Sequence, residues 1–207
     1  MIEIERLEKA YGDRTVLTIE DWSLPSSNCV LEGENGAGKT TLLLMLAGLE
    51  HPSRGEVRIK GHASGSRDAR ALVSFAPDQP ALFDDLTVTD QMTYVARLHG
   101  LKEPFEVAGE LVEALGCEDL LPRFPRGMSK GQRQKAGLLI ATARPFEVLL
   151  LDEPTTGLDA QSRAGLIRVL KAVAERGNVV LSSTHDEGLL AAADTVARVA
   201  DGSLTLA

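Results

Sequence analysis

The spacing of apolar and polar residues changes regularly along this chain, and each change predicts an element. Residues 1–6, Met-Ile-Glu-Ile-Glu-Arg, alternate as an edge strand does, and short alternating runs continue to about Leu31. They are broken by a hairpin turn at Gly12-Asp13 and a loop at Pro25-Ser26-Ser27-Asn28, so this region reads as an antiparallel β patch. Residues 41–49 are helical stock. A turn at Ser53-Arg54-Gly55, a strand over 56–60, a polar loop over 61–65 and a strand over 72–75 follow. From Thr89 to Thr142 the period is helical, interrupted at Gly100, Pro104, Gly116 and the 122–127 loop. Strand and helix then alternate: strand 148–151, helix 160–176, strand 179–182, helix 187–193, strand 195–200, a turn at Asp201-Gly202 and strand 203–206. This is the pattern of an α/β protein with a mainly parallel core sheet. One domain is expected, its core formed by 1–88 and 144–207 and a helical subdomain inserted over 89–143.

Composition narrows the class. With 207 residues, 43% hydrophobic and 25% charged, the chain has the length and apolar content of a globular domain with a substantial core. A net charge of −8, from 22 basic against 30 acidic residues, argues against a nucleic-acid partner. The densest apolar run, 42–49, is far shorter than the roughly 20 residues that cross a bilayer. The basic start and apolar core of a signal peptide are missing too, so a cytoplasmic chain is expected. Cys29 and Cys117 fit neither a metal-ligand spacing nor a disulfide framework and read as reduced, buried or half-buried thiols.

The candidate chemistry lies where a short apolar run, Cys29-Val30-Leu31, meets Gly33-Glu34-Asn35-Gly36-Ala37-Gly38-Lys39-Thr40 and then the 41–49 helix. Strand, glycine-rich loop and helix in that order form the phosphate-binding P-loop. The glycines let the backbone turn so that successive N–H groups aim at phosphate oxygens, Lys39 adds a mobile positive charge, and Thr40 can place its hydroxyl on magnesium. Thr41 continues the helix, whose N-terminal partial charge favours an anion. A nucleoside triphosphate is the ligand this predicts. The run 148–151 ends in Asp152-Glu153, two carboxylates at a strand's carboxyl end, where the chemistry of open α/β sheets collects. Asp152 suits the magnesium ion, and Glu153 suits the base or water-orienting role beside the γ-phosphate. His185 follows the apolar strand 179–182 and so takes an equivalent position; His51, His62 and His99 lie beside turns and receive no role.

At Met128-Ser129-Lys130-Gly131-Gln132-Arg133-Gln134 the sequence resembles the signature motif of ABC-type ATPases, and the resemblance extends over nearly the whole chain. Tyr11 matches the family's adenine-stacking aromatic, 33–41 its Walker A loop, Asp152-Glu153 its Walker B end, Gly157-Leu158-Asp159 its D-loop and His185 its switch histidine. The resemblance implies a RecA-like P-loop core, ATP and Mg2+ as ligands, and catalysis by Glu153, His185 and Lys39. It also implies a dimer, with identical or different partners, in which Ser129, Lys130, Gly131 and Gln132 of one unit reach the nucleotide held by the other and Asp159 lies at the junction. Two positions depart from the pattern. Lys130 stands where the family has the first signature glycine, and after Pro77 the family's glutamine is replaced by Asp78, with Gln79 one step later; either residue is a candidate for the magnesium shell.

The function that the resemblance implies is the ATP-hydrolysing subunit of a membrane transporter, with the spanning segments on a separate subunit. Such a chain sits on the inner face of the cell membrane through that partner. Residues 81–88 resemble the surface that grips it, and the 77–80 loop together with the signature points to bacterial export systems. The alternative is a soluble ABC-type ATPase acting on DNA or ribosomes. Chromosomal relatives insert long coiled coils and ribosomal ones join two cassettes, and this sequence shows neither.

Overall fold

The computed structural model describes residues 1–25 and 27–206. In chain order the elements are β1 (Ile2–Tyr11), β2 (Arg14–Ile19), β3 (Trp22–Leu24), β4 (Asn28–Glu32), α1 (Lys39–Leu46), β5 (Arg54–Ile59), β6 (His62–Ala63), α2 (Arg67–Leu72) and β7 (Val73–Ala76). Then come α3 (Val88–Leu98), α4 (Glu106–Leu115), a 3-10 turn (Glu118–Leu120), α5 (Lys130–Ala141), β8 (Val148–Asp152), α6 (Ala160–Glu175), β9 (Val179–Ser183), α7 (Glu187–Ala192), β10 (Thr195–Ala200) and β11 (Ser203–Leu206).

Six strands form the core sheet in the order β11-β10-β4-β9-β8-β7, parallel throughout except for β11, which returns antiparallel through the Asp201-Gly202 turn. Both faces are covered, and the alternation along each strand shows by what. On β8, Leu149 and Leu151 enter the cluster beneath α3 to α7, whereas Val148 and Leu150 enter the cluster around α1 and the N-terminal sheet. On β9, Val180 faces the first cluster and Val179 and Leu181 the second. Strands buried on both faces read as unbroken apolar runs, which is why Val148-Leu149-Leu150-Leu151 carries no polar residue until the sheet ends at Asp152.

The N-terminal strands form a second sheet, β2-β1-β5-β6 with β3 also on β1. The edge position expected for 1–6 is corrected here: β1 is central, flanked by β2 and β3 on one side and by β5 on the other. Its alternation is that of a strand with one buried face, and nothing local announces that β5 returns from the P-loop helix to pair with it. Three other boundaries shift. The P-loop helix spans Lys39–Leu46 instead of 41–49 because Gly48, with φ of 71°, stops it. Residues expected as a polar loop include β6, and the strand expected at 72 begins at 73 because Leu72 closes α2, a short helix that apolar periodicity does not reveal. Ser26, in the expected 25–28 loop, lies outside the described residues, and Asn28 already belongs to β4. Among the described residues no helix is long and apolar enough to cross a membrane.

Candidate nucleotide site

Four neighbouring strands, β4, β9, β8 and β7, deliver the predicted residues to one end of the core sheet. The P-loop follows β4, His185 follows β9, Asp152-Glu153 end β8, and Asp78-Gln79 follow β7. The loop's shape is enforced by close neighbours. A Cβ at Gly33 would lie 2.3 Å from the carbonyl oxygen of Val199 on β10, and one at Gly38, whose φ is 105°, would lie 2.7 Å from the Leu17 side chain on β2.

Lys39 begins α1 and is buried, its ammonium held by polar partners. Its Nζ donates to the carbonyls of Gly33 at 2.5 Å and Glu34 at 3.2 Å, and stands 3.2 Å from His185 Nε2. The same Nε2 lies 3.2 Å from Asn35 Oδ1 and 3.7 Å from Glu153 Oε1. Without a proton that nitrogen accepts from Lys39; with one it donates to Asn35 and faces the carboxylate. His185 therefore links the lysine, the loop and Glu153.

Thr40 donates its hydroxyl to Asp152 Oδ2 at 2.8 Å, and Ser183 on β9 donates to the other oxygen, Oδ1. Ser183 also accepts from the Glu153 backbone N–H at 3.2 Å. Sequence reasoning missed Ser183; its only signal is a hydroxyl residue at the end of a strand that stops at the site. Glu153 has a φ of 46°, a left-handed conformation uncommon outside glycine, which turns the chain sharply at the strand end. Burial pushes its carboxyl above the usual range; the neighbouring His185 and Lys39 charges oppose this, and the Asp152 and Asp78 charges add to it. A carboxyl poised upward in this way suits proton handling.

Two clefts flank the P-loop. The larger, 870 Å³, lies between β2, His185 and the β10–β11 turn, while the smaller, 440 Å³, contains Lys39, Thr40, Thr41, Asp78, Gln79, Asp152 and Glu153. The carboxylates and hydroxyl collect in the smaller, so size does not locate the chemistry. Asp78 is half-buried there and acts on Glu153, whereas Gln79 is exposed. The oxygen donors fit magnesium, since the Thr40 hydroxyl and the Asp152 carboxylate are hard oxygen groups that face one another at the P-loop. Magnesium binds in this manner, completing its shell with water and phosphate.

Three sets of expected residues stand outside these clefts. Tyr11, exposed, ends β1. Ser129 caps α5 by a reciprocal pair of bonds with Gln132, and the exposed Lys130 opens the helix. Gly131 packs against the D-loop so closely that a Cβ would lie 2.2 Å from the Gly157 carbonyl oxygen. Position 130 therefore tolerates a long side chain while 131 does not. Asp159 caps α6 by accepting from Ser162 N at 2.8 Å, a bond that holds its carboxyl below the usual range.

Comparison with known proteins bears on the family and the fold. A family model described as ABC transporter matches residues 22–156. The SkfA peptide export ATP-binding protein SkfE of Bacillus subtilis is 31% identical, covering 99% of this chain and 87% of its own. The sulfate/thiosulfate import ATP-binding protein CysA of Salmonella typhi is 36% identical over 98% of this chain and 58% of its own. Against three further curated relatives this chain spans 61 to 62% of the relative's length. A solved structure titled as the ATP binding subunit of an ABC transporter superposes with a TM-score of 0.89 at 25% identity, covering 100% of this chain and 89% of that one. A dimeric ATP-binding cassette, MJ0796, in a post-hydrolysis state with ADP and Pi shares the fold, with a TM-score of 0.86 at 22% identity over 99% and 96% of the two chains. With the P-loop, the paired carboxylates and the histidine converging on one sheet end, and with a model of that description matching most of the chain, this protein belongs to the ABC transporter family as one of its ATP-binding, ATP-hydrolysing units.

Proposed function

We propose that this chain drives a membrane transporter, of the export type, by binding ATP between two cassettes paired head to tail and then hydrolysing it. The observation that carries the reading is the junction of Lys39, His185, Asn35 and Glu153, the lysine of the glycine-rich loop linked through one imidazole to a carboxylate with an elevated pKa. A triphosphate entering the P-loop exchanges its oxygens for the loop carbonyls now held by Lys39. Thr40 and Asp152 would hold magnesium, which when bound draws charge from the phosphates. Glu153 orients the attacking water, and His185 stabilises charge at the γ-phosphate. Asp78, half-buried beside Glu153, takes the place after Pro77 that faces the ion's water shell.

Ser129, Lys130, Gly131 and Gln132 line neither cleft of their own chain, and this supports a role at a partner's nucleotide, with Asp159 at the junction. MJ0796, a cassette of the same fold whose structure is dimeric, supports the pairing of two cassettes. For the membrane subunit the candidate contact is the 81–88 segment, where Phe83 is exposed and its loop is fixed from beneath. Buried Gln91 accepts from Phe83 N at 3.0 Å and donates to Phe83 O and Leu86 O at 3.1 and 3.0 Å. In this proposal the chain sits on the cytoplasmic face of the membrane through that subunit. SkfE, matched over nearly its whole length, supports export over import.

The test is Glu153→Gln. ATP turnover falls by about 10²-fold or more, in line with loss of a general base, and magnesium and ATP shift the variant to a dimer in light scattering. Affinity capture of that variant from detergent-solubilised native membranes then recovers a polytopic partner. Undiminished turnover removes Glu153 from its role, and recovery of only soluble or ribosomal partners overturns the transporter reading.

A further inference from the structure

Among the buried charges outside the phosphate site, Lys9 is the one whose surroundings form a device. It lies in β1 with 8% of its surface exposed, where neither strand pairing nor the apolar core calls for a cation. Its Nζ donates to Glu50 Oε2 at 2.7 Å and to the His51 carbonyl at 2.8 Å, and stands 4.7 Å from the centre of the Tyr11 ring. Lys9 and Tyr11 are two residues apart on one strand and so share a face, which sets the ammonium over the ring. Tyr11 keeps 49% of its surface exposed, enough for a second flat group to stack on it.

The anchors of Lys9 lie just beyond α1. The 50–53 segment is laced to β1 by further bonds: Ser53 N donates to Glu8 O at 2.7 Å, and Ala10 N donates to Ser53 Oγ at 3.0 Å. On the other flank the pairing slips, Lys9 facing Leu17 and Ala10 facing Thr15, so that Val16 bulges out and lines both clefts beside the P-loop. Tyr11 is thus tied to the element that carries the phosphate loop, with Lys39 at the start of α1 and the Lys9 anchors after its end.

We propose that Lys9 is a positioning residue for the nucleotide base: anchored by Glu50 and the His51 carbonyl, its ammonium holds the Tyr11 ring as the platform on which the base stacks. The proposal rests on the reading of Tyr11 as the stacking residue. Fixing the ring before the base arrives lowers the ordering cost of binding, and hitching it to the end of α1 sets base platform and phosphate cradle on one rigid reference. The triphosphate alone does not use this device.

That difference supplies the test. Affinities for magnesium-ATP and for magnesium tripolyphosphate, which has no base, are measured by calorimetry for the wild type, Lys9→Met, Glu50→Gln, Tyr11→Leu and the Lys9→Met/Tyr11→Leu double variant. Lys9→Met weakens ATP binding by about three- to tenfold, the range of a partly desolvated cation–π contact, and leaves tripolyphosphate unchanged. Glu50→Gln reproduces part of the loss and serves if Lys9→Met does not fold. In the Tyr11→Leu background the lysine change adds nothing, because both act through one ring. Equal losses on both ligands, or an unchanged ratio in Lys9→Met and Glu50→Gln while Tyr11→Leu lowers it, overturns the role of Lys9. An unchanged ratio in Tyr11→Leu overturns the stacking assignment itself.

Discussion

Adding one methyl group at Gly131 and one at Gly109 should move stability in opposite directions. At Gly131 the new Cβ would sit 2.2 Å from the Gly157 carbonyl oxygen, a backbone atom that cannot rotate away. Restoring ordinary contact, about 3.4 Å or more between such atoms, requires the signature turn and the D-loop to separate by roughly 1 Å. Forced repacking of this size costs about 1–3 kcal/mol. In a domain of this length that lowers the melting temperature by about 2–12 °C. The displaced groups are Ser129 to Gln132 and the turn before Asp159, so ATP turnover falls as well. Gly109 lies inside α4, and apart from its own helix backbone nothing lies within 4 Å of the position a Cβ would take. Replacing it with alanine removes only the entropic cost of a helical glycine and stabilises by about 0.5–1 kcal/mol. Urea unfolding of Gly131→Ala, Gly109→Ala and the wild type, with ATPase assays alongside, measures both. A Gly131→Ala protein as stable and active as the wild type would refute the argument from the 2.2 Å approach.

Two further predictions concern titration. The Glu153 carboxyl is raised by burial, so the folded state holds its proton more tightly than the unfolded chain, and the group's contribution to stability falls as pH rises from the ordinary carboxylate range through the folded value. Glu153→Gln should therefore gain stability relative to the wild type at pH 8 and lose that advantage near pH 4; a pH-independent difference in denaturation midpoint counts against the burial argument. Burial pushes the Cys29 thiol up to about 12 and the Cys117 thiol up to about 11. Neither should react with a thiol reagent at pH 8 until denaturant is added, when two thiols should titrate, and rapid labelling of the folded protein would place at least one outside the core.

Much of the site was legible in the chain because its chemistry is local. Gly33 to Thr41 is one continuous segment whose backbone, charge and hydroxyl are the groups a phosphate ligand calls for, and Asp152-Glu153 is visible because an apolar run of the β8 kind ends abruptly in two carboxylates. The departures at Lys130 and Asp78 were visible as departures. Why the fold accepts a long side chain at 130 was not, since the signature turn packs on the Gly157 carbonyl through Gly131, 26 residues earlier, and leaves Lys130 exposed.

Sequence by itself determined the α/β class, the inserted helices and the identity of nearly every polar group at the sheet end, because periodicity and spacing are properties of neighbours along the chain. Only the tertiary structure decided the rest. It put β1 at the centre of its sheet, gave Ser183 to Asp152, joined Lys39 to Glu153 through His185, and set the Lys9 ammonium over Tyr11 while bonding it to Glu50. Most of these depend on residues 31 to 146 positions apart, and a contact at that separation leaves no local pattern, since either partner alone looks like an ordinary polar residue.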